Sequence, residues 1–560
     1  MTDGPWRTIP ELVADSARRY ADMEALVEGP VRKTFAELAA DVDRVARAMM
    51  AAGVERGDRV AIWAPNWWEW PVVALGVHTA GGVVVPVNTR FKGEEARYVL
   101  AKSRARMLCT TTDFLGVDYV ALLHEGADAA VPAGLRDVVV LRGPVTEGTI
   151  ALDELVLRAD EVAPDALAAR VASITADDLC HIMFTSGTTG APKGAMLAHG
   201  PVCKAYDAWC EVVGLRPGDR YLIVNPYFHS FGLNAGILAC LMRGATNVPH
   251  PVFDVPALMR RVVEERITMF PGPPAAYQTM LNDPDLPTYD LSTLRLAVTG
   301  AAAIPVDLVH RMRAELGFET IVTGYGLTET SGIATMCRHD DDAETIATTS
   351  GRAIPGIEVR VVDDDGRELP RGRPGEIVIR GYNVMRGYYD DAVETAVVID
   401  DEGWLHSGDI GTMDERGNVV ITDRKKDMFI VGGFNAYPAE IEGFLSAHPD
   451  VAQVAVIGIP DERLGEVGMA FVVPRHGATV DPDELIAWAR HRMANYKVPR
   501  RVAVVDELPL NAAGKVVKDV LRARAADAGS GDPGSGDPGP GDPGPGEAVR
   551  AVRGRPTAPA

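Results

Sequence analysis

The sequence has few of the residues from which disulfide frameworks and metal centres are built. Its 560 residues include six cysteines and twelve histidines. Cys109, Cys180, Cys203, Cys210, Cys240 and Cys337 show no Cys-x-x-Cys spacing, so they are expected to be small apolar core residues. The histidines are equally scattered, and no zinc-type ligand set is visible. No apolar run approaches the roughly 18 residues of a membrane span. The N-terminal stretch "MTDGPWRTIPELVADSARRY" has no signal-peptide core and reads as a short amphipathic helix, which points to a cytoplasmic protein. Positive charge is also scarce. With 56 Lys and Arg against 78 Asp and Glu, the formal net charge is −22, so a nucleic-acid polyanion would be repelled over most of the surface.

The chain is too long for one hydrophobic core, so two or more domains are expected. Up to about residue 350, strand-like runs alternate with helical patterns. "RVAIWAP", "VVVPV", "HIMFT", "YLIVNP", "ITMFPG" and "LRLAVTG" are the strands, and "ALMRRVVEERI" is one of the amphipathic pieces between them. That alternation predicts parallel α/β layers with helices on both faces. From about 351, short strands joined by Asp/Gly turns predict a β-rich subdomain. A compact α/β unit of about a hundred residues follows the junction "TDRKKDMFIVGG", with a helix expected from Pro482 to Ala494 and a last one from Lys515. Beyond Arg524 the chain becomes a Gly/Pro/Asp-rich repeat too poor in apolar residues to offset the entropy of ordering. The expected division is therefore 1–424, 425–524 and a disordered tail, 525–560.

The motif "FTSGTTGAPKGAM" (184–196) is built like a phosphate loop, with Thr185, Ser186, Gly187, Thr188, Thr189 and Gly190 leading to Lys193. Such runs hold phosphates through backbone N–H groups and hydroxyls. Pro192 keeps the loop from winding directly into a helix, so it departs from the P-loop pattern. In "YGLTET", Thr328 and Glu329 follow a strand-to-glycine run, and a carboxylate there suits a nucleotide-bound Mg²⁺. "VTGAAAIP" ends a strand in small residues that would let a flat ring approach the backbone. "GWLHSGDIG" sets Asp409 among glycines, where it could accept from both ribose hydroxyls, and Arg424 follows fifteen residues later.

Together with "DRKKDMFIVGGFN" and "PLNAAGKVVK", these motifs stand in the order and spacing of the adenylate-forming (AMP-binding) acyl-CoA synthetases, which the chain resembles over roughly residues 10–524. The resemblance implies a large N-terminal domain of layered α/β with a β-rich subdomain, and a small mobile α+β C-terminal domain. It also implies a two-step reaction with ATP, Mg²⁺ and coenzyme A: a carboxylate attacks the α-phosphorus to give acyl-AMP and pyrophosphate, and a thiol then takes the acyl group. By the same resemblance Lys515 bridges carboxylate and α-phosphate, Glu329 holds Mg²⁺ and Thr328 meets the α-phosphate. Asp409 and Arg424 hold the ribose. Tyr325, followed by Gly326, covers one face of adenine, with Gly300, Ala301 and Ala302 on the other. Lys426 is the hinge, while Gly432, Gly433 and Phe434 line the pantetheine tunnel.

The resemblance places the acyl pocket at "NPYFHSFGLNAGILACL" (225–241), with His229 beside the reacting carboxylate. No Asp or Glu occurs there, and an unpaired buried ammonium is costly, so amino acids are disfavoured. Gly232, Ala235, Gly236 and Ala239 are read as leaving room for a bulky or long acid. "NPYFHSFG", "PGPP" and "TMCRHDDDAETIATT" are also similar to actinobacterial ligases of sterol-derived propanoates. A fatty acid and such a propanoate both stay open. So does transfer to an acyl carrier protein instead of CoA, and so does a catalytically silent nucleotide-binding protein.

Overall fold

The computed structural model describes residues 5–125, 130–185, 192–300, 304–424, 427–431, 434–461, 464–490, 493, 495–510 and 516–529, without the side chains of 423, 424, 430, 434, 435, 440 and 527–529. Two mixed sheets carry the first 353 residues. In the seven-stranded sheet, Arg59–Trp63 and Val83–Pro86 lie side by side at the centre, parallel, joined through the helix Glu69–Thr79. Crossover helices of this kind bury both faces of a parallel sheet, and the strand residues Val60–Trp63 and Val83–Pro86 are accordingly all buried. Its edge is the antiparallel hairpin Leu179–Thr185/Lys193–Ala198, with Thr185 opposite Lys193. The nine-stranded sheet has a parallel centre that includes Arg220–Ile223, Met269–Pro271, Leu296–Thr299 and Thr320–Tyr325.

A four-stranded antiparallel sheet, Ile357–Val362, Gly375–Gly381, Leu405–Met413 and Val419–Arg424, forms the expected β-rich part. The last sheet is built from Phe429–Val431, Phe434–Ala436, Val451–Asp461, Gly465–Pro474 and Arg501–Val504. It has its own core, in which Phe429, Ile441, Val456, Phe471, Leu485 and Leu521 pack together apart from the N-terminal clusters. The predicted N-terminal helix is Ile9–Arg19, burying Ile9, Leu12, Val13 and Ser16. The helix predicted to start at Pro482 is described as Pro482–Arg490. The last one starts at Lys518, after a bridge between Leu510 and Val516, and continues to Gly529. Its second half, "ARAADAG", is alanine-rich, so helix propensity carries it past Arg524.

All six cysteines are free and buried, as their spacing implied. The histidines are less scattered than they look. His78, His181 and His199, from the helix Glu69–Thr79, the strand Leu179–Thr185 and the helix His199–Val213, are buried in mutual contact. His78 Nε2 and His181 Nε2 lie 3.2 Å apart, so one donates to the other, and His199 Nδ1 accepts from the Ile9 N–H at 3.3 Å. Burial lowers all three, His181 to about 3 and His199 to about 4, so they are neutral packing groups. No His/Cys/Asp/Glu group suited to a metal occurs among the described residues.

Candidate active site

Residues far apart in sequence converge where the Leu179–Thr185/Lys193–Ala198 hairpin meets the end of the strand Thr320–Tyr325. After that strand the chain makes a short 3₁₀ turn, Thr328–Thr330, which closes through Ser331 at φ 58° and Gly332 at φ 95°. The turn lifts half-buried Glu329 toward the hairpin. Glu329 Oε1 accepts from the Tyr388 hydroxyl at 2.8 Å and from the Thr185 hydroxyl at 3.5 Å. Both bonds fall on one oxygen, and Oε2 has no partner among the described residues. A carboxylate oriented through one oxygen, with the other open, suits a Mg²⁺ that keeps its remaining sites for phosphate and water. Gly326 is fixed by packing, since a Cβ there would lie 2.5 Å from the Gly332 carbonyl oxygen and the Ile333 nitrogen.

Tyr388 is a site residue that the motifs did not disclose. The segment around it adds to the hairpin as a further strand: the Tyr389 N–H donates to Gly194 O, the Met196 N–H to Gly387 O and the Arg386 N–H to Met196 O. Burial, and then the neighbouring Glu329 charge, push the Tyr388 hydroxyl well above its ordinary range, so it stays a donor. Lys193 pairs with Glu394 and sits 5.4 Å from the centre of the Tyr388 ring. Glu394 was also missed: it belongs to the helix Ala392–Val398, capped by Asp391. Nothing in "GYYDDAVET" has a ligand-like spacing, and only the pairing of that run with the hairpin gives it a role. Lys193, the cation at the end of the phosphate-loop motif, therefore has a carboxylate partner.

On the other side of the turn, Tyr325 donates its hydroxyl to Asp409 Oδ2 at 2.6 Å, and both side chains are buried. Asp409 lies inside the strand Leu405–Met413, directly across from Arg424, the last residue of the strand Val419–Arg424. Gly408 just before it has φ 69°, and the register shifts just after it. Gly300 ends the strand Leu296–Thr299 beside Gly324, with 3.4 Å between its absent Cβ and the Gly324 carbonyl oxygen. Thr328 stands half-buried on the 3₁₀ turn. Phe434 starts a strand opposite Val431. Ser186, Gly187, Thr188, Thr189, Gly190, Ala301, Ala302, Lys426, Gly432, Gly433 and Lys515 lie outside the described residues, as do the side chains of Arg424 and Phe434.

The segment 225–241 is a turn followed by a π-helix, Phe231–Leu238, a form frequent at functional sites. Exposed His229 accepts at Nδ1 from the Phe231 N–H, 3.2 Å away, which puts the neutral ring's proton on Nε2. The turn and the π-helix touch: a Cβ at Gly332 would lie 2.7 Å from Ser230 Oγ. One expectation is corrected here. Gly232 and Gly236 do not leave open space, because a Cβ at Gly232 would lie 2.1 Å from Pro226 O, and one at Gly236 would lie 3.0 Å from the Ile223 side chain. The small residues let the helix press onto its own backbone and the neighbouring strand, and Ala235 and Ala239 are core.

The AMP-binding enzyme family matches residues 13–389, and its C-terminal domain matches 440–515. A Rhodococcus jostii ligase that joins CoA to a methylated dioxo-octahydroindenyl propanoate is 48% identical over 93% of this chain and 99% of its own. The Mycobacterium tuberculosis ligase of the same description is 49% identical over 92% of this chain and 98% of its own. Among solved structures, an anthranilate CoA ligase in complex with anthranoyl-AMP superposes with a TM-score of 0.82 at 27% identity, covering 93% of this chain and 98% of that one. The chain belongs to the AMP-binding enzyme family and is an AMP-forming acid–CoA ligase that uses ATP, Mg²⁺ and CoA.

Proposed function

We propose that the acid is a propanoate carried on a fused bicyclic ring, of the kind left by partial sterol breakdown. The observation that carries this reading is near-half identity over almost the full length of two ligases of such an acid. The apolar acyl segment, free of acidic residues between Asn225 and Leu241, supports it.

In the first step the substrate carboxylate attacks the α-phosphorus of ATP, and pyrophosphate leaves. Charge grows on the phosphoryl oxygens, so positioning and fixed counter-charge supply most of the catalysis. Thr185, Ser186, Gly187, Thr188, Thr189, Gly190 and Lys193 grip the β- and γ-phosphates, with Glu394 receiving Lys193 when they depart. Glu329 would hold Mg²⁺, which supplies charge neutralisation on the phosphates. Thr328 and Lys515 meet the α-phosphate, and His229 presents its Nε2–H beside the carboxylate. Asp409 and Arg424 take the ribose, while Tyr325, Gly326, Gly300, Ala301 and Ala302 surround adenine. In the second step the C-terminal domain, taken as 425–524, turns at Lys426 and brings Gly432, Gly433 and Phe434 to the pantetheine arm. The CoA thiol then attacks the acyl carbon, and AMP leaves.

The test is acid-dependent pyrophosphate release across bicyclic propanoates, aromatic acids and medium- and long-chain fatty acids. The bicyclic propanoate should give the highest kcat/KM. A fatty acid preferred by tenfold or more, on the order of 1.4 kcal/mol, would replace this substrate assignment.

A further inference from the structure

We propose that Asn66 is a positioning residue for the acid substrate, acting from the other sheet on the segment that carries His229. The inference rests on the acid-binding reading of residues 225–241. Asn66 lies between the strand Arg59–Trp63 and the helix Glu69–Thr79, which belong to the seven-stranded sheet, and its side chain is 4% exposed. Nδ2 donates to Ile223 O at 3.1 Å and to Asn225 O at 2.9 Å. Oδ1 accepts from the Tyr227 N–H at 2.8 Å. One carboxamide therefore satisfies three backbone groups at the end of the strand Arg220–Ile223, in the nine-stranded sheet. The Ile223 carbonyl also accepts from the His250 N–H at 3.0 Å, but Asn225 O and the Tyr227 N–H lie past the strand and before the helix, where an unpaired buried polar group is costly.

The clamp reaches the site through the backbone alone. The Pro226 carbonyl, inside the clamped stretch, accepts from the His229 N–H at 3.0 Å, and His229 O accepts from the Leu233 N–H at 3.0 Å. Gly232 packs so closely on Pro226 and Asn225 that no Cβ fits between them. Tyr227 is held a second time, its hydroxyl donating to Asn247 Oδ1 at 2.6 Å and its ring lying 5.4 Å from that of Trp70. A shift at Asn225–Tyr227 thus moves His229 and the start of the π-helix together. The nucleotide-side groups hang from other elements, Glu329 from the 3₁₀ turn Thr328–Thr330 and Tyr325 and Asp409 from their strands, and none of the three bonds to Asn66.

Only a carboxamide meets this donor and acceptor pattern. Asn66→Asp keeps the shape and the acceptor for Tyr227 but turns a double donor into an anion facing two carbonyl oxygens. The experiment measures KM for acid and for ATP, and kcat of acid-dependent pyrophosphate exchange, in wild type and Asn66→Asp. Wild-type exchange checks the acid-binding reading itself; no acid-dependent exchange there would overturn that reading whatever the variant does. The expected result is a KM for the acid raised by about tenfold or more with reduced kcat, as loss of two buried donors implies, and a KM for ATP within about twofold of wild type. Equal losses for acid and ATP would mean a general structural defect and overturn the proposal, as would unchanged kinetics. If Asn66→Asp does not fold, Asn66→Ser, which can still accept from Tyr227 and donate once, is read by the same split.

Discussion

Replacing Tyr388 by phenylalanine removes one hydroxyl and leaves the ring, the backbone pairing with Gly194 and Met196, and the nearby Lys193 in place. The lost bond is the 2.8 Å donation to Glu329 Oε1. A hydrogen bond to a charged group in a half-buried setting contributes about 1.5–3 kcal/mol, and each 1.4 kcal/mol is about tenfold. If Glu329 holds Mg²⁺, Tyr388 would be the partner that orients its carboxylate, and loss of such partners costs about 10- to 100-fold in metal affinity. The assay is acid-dependent pyrophosphate exchange at saturating ATP and acid with Mg²⁺ varied. Tyr388→Phe should raise the half-saturating Mg²⁺ by about 10- to 100-fold, while conversion of supplied acyl-AMP and CoA to thioester stays near wild type. An unchanged Mg²⁺ requirement would refute the link between this hydroxyl and the metal carboxylate.

The division of labour between the two half-reactions gives a second prediction. Lys515→Ala should abolish acyl-AMP formation yet still turn supplied acyl-AMP and CoA into thioester, and Gly433→Leu should do the reverse; equal loss of both steps in both variants would remove the proposed roles. The buried histidines predict an acid-sensitive fold. Burial depresses His181 to about 3 and His199 to about 4, whereas the unfolded chain takes up these protons near 6.5. Below about pH 6.5 the unfolded state therefore binds more protons, and stability, complete above that pH, falls as pH drops toward 4, by about 1.4 kcal/mol per pH unit for each histidine. Urea midpoints from pH 7.5 to 4.5 should show this slope, shallower by one histidine's share in His199→Gln; identical slopes would contradict the assignment.

Much of this was legible in the sequence because it is local. Apolar runs at strand length and the Asp/Gly turns after 351 disclosed the layers, and the motif order disclosed the family. Thr185, Glu329, Tyr325 and Asp409 could be named because each sits where a strand ends or breaks. What could not be read was pairing across long separations. Tyr388 and Glu394 become site residues only when 386–389 adds to the hairpin. Asn66 acquires its role only when two sheets meet, and the three histidines look dispersed until three elements fold onto one another. The glycines of 225–241 misled for a related reason. A missing side chain in sequence says that something comes close there, and here it is the protein's own backbone at Gly232 and the Ile223 side chain at Gly236.

The chain's reaction is the formation of acyl-AMP and its transfer to CoA. Its most direct test mixes purified protein, the bicyclic propanoate, Mg·ATP and free CoA, and follows pyrophosphate, AMP and thioester together. One pyrophosphate, one AMP and one acyl-CoA should form per acid consumed, with no free acyl-AMP building up. Acyl-AMP that accumulates in the presence of CoA, and is drawn off only by the pantetheine of a carrier protein, would contradict it.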